Sequence, residues 1–159
     1  MVELSLVGVR VELPSNQPIV LLKEVDGDRY LPIWIGAVEA TAIAFALQSI
    51  KTPRPMTHDL MRDVLNETSV HVERIVIDEL VEQTFYATLH LVSNGEARQV
   101  SSRPSDAIAL AVRINAPIFA DESVLDQAGI ELKDEEETEV QKFREFLDQV
   151  SPEDFATGG

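Results

Sequence analysis

Hydrophobic and polar residues alternate through the N-terminal part of the chain, a pattern that predicts β-strands with one face exposed to water. The first alternating stretch covers residues 2–13. Two more, 18–23 and 29–35, flank an Asp-Gly-Asp turn in which Gly27 is expected to supply the positive φ of a tight hairpin. The pattern therefore predicts a strand followed by a β-hairpin.

The hydrophobic period then changes to that of a helix. Residues 37–50 are rich in alanine and almost free of charge, which predicts a helix buried on most of its circumference against a sheet. Residues 58–67 form a second predicted helix, with Thr57 as its N-cap. The expected apolar face of this second helix consists of Leu60, Met61, Val64 and Leu65.

The second half of the chain repeats this order. A strand at 70–80 is followed by a hairpin around Asn94-Gly95, and residues 105–112 then resemble residues 40–47. The turn glycines lie 68 residues apart and the Ala-Ile-Ala segments 65 apart. We interpret this as a tandem strand, hairpin and helix duplication, which predicts a single α+β domain with packed helices on a mixed or mostly antiparallel sheet.

The C-terminal part differs in composition. A short strand at 115–120 and a short helix at 122–127 are expected to complete a domain of residues 1–130. Residues 131–159 form an acidic tail with one predicted amphipathic helix. Its apolar stripe consists of Val140, Phe143, Phe146, Leu147 and Val150.

Composition and charge narrow the choice of partners. The 159 residues include no cysteine, and the first fourteen carry neither a signal peptide nor a membrane anchor, so we expect a cytoplasmic protein without membrane contact. The net charge of −15 divides into −5 for residues 1–120 and −10 for residues 121–159. A core at −5 does not attract polyanions as a whole, so any contact with nucleic acid must be local.

Candidate chemistry concentrates in two loops. Each has an Arg-Pro pair, a hydroxyl residue and an Asp ahead of a helical run, at 54–60 and at 101–107. His58 lies in the first loop, whereas the other two histidines lie in alternating strand segments. The duplication is expected to bring the two loops together at one place.

Three separated motifs resemble the bifunctional nuclease family. They are Leu-Pro-Ile-Trp-Ile-Gly at 31–36 with Glu39-Ala40, Pro-Arg-Pro at 53–55 with Thr-His-Asp-Leu at 57–60, and Ser-Arg-Pro-Ser-Asp-Ala at 102–107 with its alanine-rich continuation. The resemblance covers residues 1–130, and the acidic tail is similar to that of actinobacterial members. It implies an α+β domain and a nuclease acting on both RNA and DNA, as described for plant members.

A phosphodiester hydrolase needs a proton-transfer group, positive charge for the transition state and often a metal ion. His58 is the candidate acid or base, the carboxylates are candidate ligands for Mg²⁺ or Mn²⁺, and the arginines, Arg113 among them, are candidate phosphate ligands. The predicted site consists of Glu39, Arg54, His58, Asp59, Arg103 and Asp106.

Other interpretations of these residues stay open. The acids would also occupy the first turns of helices, where they interact favourably with free N–H groups, and the arginines would then pair with them. In that case the protein is a non-catalytic regulatory or adaptor module whose residues brace the fold. A site for a small anion or nucleotide is a third interpretation. Phosphate-loop, zinc-site and serine-hydrolase motifs are absent from the sequence.

Assembly is the last expectation from the sequence. Exposed sheet edges and the apolar stripe of the tail both need covering. We expect a homo-oligomer, most simply a two-fold dimer, held by core surfaces because acidic tails repel each other at close range.

Overall fold

The structure is a computed structural model that describes residues 1–12 and 16–132. These residues form one eight-stranded sheet and four helices, which confirms the predicted α+β class. The tail beyond residue 132, with its predicted amphipathic helix, lies outside the described residues. In chain order the elements are β1 (Val2–Glu12), β2 (Gln17–Glu24), β3 (Arg29–Trp34), α1 (Ala37–Leu47), α2 (Thr57–Glu67), β4 (His71–Val81), β5 (Thr84–Ser93), β6 (Glu96–Ser102), α3 (Pro104–Ile114), β7 (Ile118–Ala120), α4 (Glu122–Ala128) and β8 (Ile130–Glu131).

The sheet contains two three-stranded antiparallel units on either side of β7. Its strand order is β6-β5-β4-β7-β1-β2-β3-β8. Strand β7 pairs antiparallel with β1 and parallel with β4, so β1 and β4 run in opposite directions, as a two-fold axis through the sheet requires. Each unit continues directly into a helix, α1 after β3 and α3 after β6. This topology confirms the predicted duplication.

Helix α2 has no counterpart in the second unit. The repeat relates α3 to α1, because each directly follows the third strand of its unit, whereas α2 is inserted between α1 and β4. The similar loops at 54–60 and 101–107 are therefore not related to each other by the duplication. They do lie together as expected, because His58 of the first loop contacts Asp106 of the second. Their likeness reflects what helix N-termini favour, proline near the start and an acid in the first turn.

Helices α1, α3 and α4 pack against the sheet around an aliphatic core, and α2 packs on α3. Small residues on α1, Ala40, Ala42 and Ala44, are buried and allow close packing. Val38 and Leu47 of the same helix are exposed, so α1 is covered on less of its circumference than the sequence suggested. The largest fully buried side chains are Leu22, Leu31, Ile43, Ile75, Ile77, Ile108, Leu110 and Leu125, with Val9, Val20 and Val124.

Helix α2 is also less buried than predicted. Met61 and Leu65 pack against the core, but Leu60 and Val64 are exposed. His58 instead supplies the buried end of the inward face. Across the described residues, no helix is both long and apolar enough to cross a membrane.

The two hairpin turns differ. Asn94 and Gly95 both have positive φ, 52° and 77°, as a two-residue hairpin turn requires. Gly27 is not among the residues with positive φ, so its predicted role was wrong. A Cβ at Gly27 would collide with the carboxylate of Glu24, which accepts hydrogen bonds from Nε and Nη2 of Arg29 at 2.9 and 2.6 Å. A side chain at this position would have to displace the Glu24 carboxylate, which lies under the turn.

Candidate functional site

Three helices have an acidic residue at the same position of their first turn. Glu39 in α1, Asp59 in α2 and Asp106 in α3 are each the third residue of their helix. The first-turn N–H groups of a helix lack helical partners, so a carboxylate at this position is favourable. The predicted location of Asp59 and Asp106 in first turns is confirmed. Thr57 is the first helical residue rather than the N-cap, which is Met56.

Arg103 lies at the centre of one polar cluster. Its Nη2 donates to Oε1 of Glu39 at 2.7 Å and its Nε donates to Oδ2 of Asp106 at 2.9 Å. Gly36 leaves room for this arrangement, because a Cβ there would collide with the Glu39 carboxylate. Two carboxylates from two helices thus hold an arginine whose side chain is 64% exposed.

His58 joins the same cluster from α2. Its Nε2 lies 2.9 Å from Oδ1 of Asp106, and the ring is buried. Burial of Asp106 opposes ionisation, but the hydrogen bonds from Arg103 and His58 outweigh it and hold the pKa of Asp106 below its usual value. An ionised carboxylate only accepts hydrogen bonds, so Nε2 of His58 carries the hydrogen. Glu39, His58, Arg103 and Asp106 are called the Arg103 cluster below.

Asp59 belongs to a second, separate network. Its Oδ1 accepts from Nε of Arg113 at 2.7 Å, and its Oδ2 accepts from the backbone N–H of Met56 at 3.0 Å. Nη1 and Nη2 of Arg113 donate to the carbonyl oxygens of Ala109 and Ala42 at 2.8 and 3.0 Å. With only 5% of its side chain exposed, Arg113 joins three helices from within, so the structure does not present it to a phosphate.

The remaining sequence-predicted residue is Arg54. It is exposed in the loop before α2, and its side chain makes no hydrogen bond or ion pair to any described residue. The structure therefore brings together Glu39, His58, Arg103 and Asp106, and it places Asp59 and Arg54 elsewhere. No group of three or more His, Asp or Glu among the described residues is arranged to hold a metal ion. The carboxylates of the Arg103 cluster are occupied by arginine and histidine, so they do not form a ready site for Mg²⁺ or Mn²⁺.

A cleft of about 460 Å³ opens beside Arg103. It lies between the two repeats, because the β3–α1 junction and the β6–α3 junction both line it. Sequence reasoning missed this cleft, although Trp34 at the end of an apolar strand was a usable signal. The lining residues are Gln17, Ile33, Trp34, Ile35, Gly36, Gln83, Thr84, Phe85, Arg103, Pro104 and Ser105.

Residues 20–133 match the model of the bifunctional nuclease domain. The chain belongs to the bifunctional nuclease domain family. Membership confirms the resemblance seen in the sequence motifs, and the matched region contains the entire Arg103 cluster together with Asp59 and Arg113. All of β1 and the first three residues of β2 lie outside it.

Relatives of this family member fall into two groups. An uncharacterized protein of Mycobacterium tuberculosis is 49% identical over 162 residues, which cover 96% of this chain and 97% of that protein. Bifunctional nuclease 1 of Oryza sativa subsp. japonica is 28% identical over 120 residues, 74% of this chain and 36% of that protein. Bifunctional nuclease 1 of Arabidopsis thaliana is 29% identical over 108 residues, 65% of this chain and 33% of that protein. The chain thus matches about a third of each plant protein.

Proposed function

We propose that this protein is a nuclease that hydrolyses phosphodiester bonds of RNA and DNA at the Arg103 cluster. The observation that carries the proposal is an exposed guanidinium, held by two carboxylates, at the edge of a cleft between the repeats. Membership of the bifunctional nuclease domain family and the names of the plant relatives support it.

In this proposal Arg103 binds the phosphate group of the substrate. Glu39 and Asp106 occupy Nη2 and Nε, and no described residue accepts a hydrogen bond from Nη1, which is left to donate to a phosphate oxygen. Negative charge spreads over the phosphoryl oxygens in the transition state, and a donor already oriented toward it needs little reorganisation. Loss of one such donor typically lowers the rate constant by about 10²- to 10³-fold.

His58 is assigned to proton transfer, with Asp106 as the positioning residue. DNA has no 2′-hydroxyl group, so a single mechanism for both substrates uses water as the nucleophile. Nε2 of His58 is committed to Asp106, which leaves Nδ1 as the atom that takes or gives the proton. Because the ring is buried, the proposal requires the N-terminus of α2 to shift when substrate binds.

The formal charge of the Arg103 cluster is a reason to include divalent metal ions in the assay. One guanidinium and two carboxylates give a formal charge of −1 while His58 is neutral, and that excess opposes a phosphate. Mg²⁺ or Mn²⁺ in solution would offset it, which is why we propose metal assistance.

Cleavage of single-stranded RNA and DNA tests this proposal, with Mg²⁺, Mn²⁺ or EDTA and identically purified variants. We expect His58→Ala and Arg103→Gln each to lose about a hundredfold in rate constant. Arg98→Gln is the matched control, because Arg98 is also 64% exposed and pairs with a carboxylate, but lies outside the cluster. Equal cleavage by wild type and all three variants would identify a contaminating nuclease and reject the proposal.

A second candidate function is a non-catalytic regulatory or adaptor module. The specific observation in its favour is that all three first-turn carboxylates already have hydrogen-bond partners that link the helices. In this case Asp106→Asn would lower the melting temperature and leave any cleavage unaffected. Asp106→Asn protein that melts normally but cleaves more slowly would support the nuclease instead.

A further inference from the structure

We infer that the cleft beside Arg103 binds one unpaired base of a single-stranded nucleic acid, with Trp34 as the stacking surface. The inference rests on the proposed nuclease function and names how that site selects its substrate. It assigns a role to a cleft whose residues, apart from Arg103, are not part of the Arg103 cluster.

Trp34 has the properties of a stacking platform. It is the only tryptophan of the chain and ends β3, where it is 55% exposed. Phe85 lines the same cleft, so a planar ligand meets aromatic surface from both repeats. Bases stack on such side chains with little regard to sequence, since every base presents a π-face.

The polar lining also suits a base. Gln17, Gln83 and Thr84 are exposed, and their amide and hydroxyl groups both donate and accept hydrogen bonds. Gln17 opens β2 and Gln83 directly precedes β5, so the two glutamines occupy near-equivalent places in the repeats. Paired donors and acceptors of this kind satisfy the edges of several bases, which agrees with action on both RNA and DNA.

Charge selects the class of ligand. Arg103 is the one charged side chain among the described residues that line the cleft, and it is also the centre of the Arg103 cluster. A ligand with a neutral planar part against Trp34 and an anionic part against Arg103 matches this distribution. A nucleotide unit has both parts, with the phosphate joined to the base through the sugar. Binding the base therefore places a neighbouring phosphodiester at the cluster.

The geometry also excludes a paired base. In a duplex each base is stacked between its neighbours, and its edge is hydrogen-bonded to the opposite strand. Entry into the cleft would require unpairing and unstacking. We therefore expect preference for single strands over duplexes.

Tryptophan fluorescence reports binding at Trp34 directly, because the chain has no other tryptophan. Wild-type protein in EDTA is titrated with a short oligothymidylate, with an abasic strand of equal length and charge, and with a hairpin duplex. We expect quenching by the oligothymidylate and about tenfold weaker binding of the other two ligands. Equal affinity for the abasic strand would overturn the inference.

The affinity of variants for a labelled oligothymidylate, measured by fluorescence anisotropy, is a second test. Trp34→Ala is expected to bind about tenfold more weakly. Tyr86→Ala should bind like wild type, because Tyr86 is exposed but does not line the cleft. Unchanged affinity of Trp34→Ala overturns the inference. A change of oligomeric state in that variant with unchanged affinity would also overturn it, by assigning Trp34 to a contact between copies.

The binding experiments separate this inference from the proposed activity. Base-dependent quenching in a protein that cleaves nothing would reject the nuclease and support the base site. Cleavage that depends on Arg103 but not on Trp34 would support the nuclease and reject the base site.

Discussion

Asp59 and Arg113 form an ion pair, with 2.7 Å between Oδ1 and Nε, that joins the first turn of α2 to the last turn of α3. Arg113 extends the connection to α1 through the carbonyl oxygen of Ala42. The same three helices supply the Arg103 cluster at their N-termini. The buried pair therefore helps to fix the relative positions of the residues proposed to act on substrate.

We predict that Asp59→Ala lowers the free energy of unfolding by about 3 kcal/mol, because Arg113 would stay buried without its anionic partner. Urea denaturation followed by circular dichroism measures the change. Asp63→Ala is the matched control on the same helix, since Asp63 is exposed and pairs with Arg62 at the surface. The control is expected to lose less than about 1 kcal/mol. Similar losses in the two variants would contradict the structural role of the Asp59–Arg113 pair.

Stability is predicted to fall in acid. Burial opposes ionisation of Asp59, but the hydrogen bonds from Met56 N–H and Arg113 outweigh it and lower its pKa. The pKa of Asp106 is lowered as well, by hydrogen bonds from Arg103 and His58. In the unfolded chain the carboxyl groups have pKa values near ~4, so as the pH falls they bind protons before the same groups do in the folded protein. The stabilisation is complete above about pH 5 and disappears as pH falls through the folded-state pKa values. Melting temperatures between pH 7 and pH 3 check this, and Asp59→Asn should flatten the curve.

Most secondary structure was predictable because its signals are local. The alternation in β1 and β2 and the Asn94-Gly95 turn need no knowledge of the remaining chain. The duplication was visible because each unit carries the same series of local patterns. The role of Gly27 was missed because its reason lies in the space taken by the Glu24 carboxylate, which only the folded turn reveals.

The candidate site was predictable only as a set of residues. Arg103 pairs with Glu39 from the other repeat, a contact that depends on how α1 and α3 pack. Asp59 was grouped with the site because it resembles Asp106 in its loop, yet the insertion of α2 gives it Arg113 as a partner. Asp106 makes one local and one long-range hydrogen bond. Arg103 lies three residues away in sequence, whereas His58 comes from α2.

The two turn glycines are predicted to respond differently to substitution. Gly95→Ala should cost about 1 kcal/mol, because φ is +77° while nothing lies within 4 Å of a new Cβ. Gly95→Asn should recover most of that loss, since asparagine tolerates this conformation. Gly27→Ala and Gly27→Asn should both destabilise, because either Cβ displaces the Glu24 carboxylate from Arg29. Thermal denaturation of the four variants separates the two mechanisms, and rescue of Gly27 by asparagine would contradict ours.

Truncation after Leu132 tests the acidic tail while keeping β8, whose Ile130 pairs with Tyr30. The deleted residues include nine acids and three bases, so the formal charge changes from −15 to −9. We predict about threefold tighter binding of a single-stranded oligonucleotide at low salt, because less negative charge opposes the phosphates. The gain should vanish near 1 M salt, where the screening length is about 3 Å. Fluorescence anisotropy at both salt concentrations measures it.

A full-length variant with Glu135→Gln, Glu136→Gln and Glu137→Gln separates the charge of the tail from its presence. If repulsion is the cause, this variant should show part of the gain, with the same loss at high salt. The mass of the truncated protein, measured by light scattering, tests assembly in the same experiment. We predict that both the truncated and the untruncated protein are oligomeric, because exposed apolar side chains such as Leu60 and Val64 lie on α2 and are kept in the truncated protein. A monomeric product from an oligomeric parent protein would instead show that the tail holds the copies together. Unchanged affinity at low salt would contradict repulsion of the oligonucleotide by the tail.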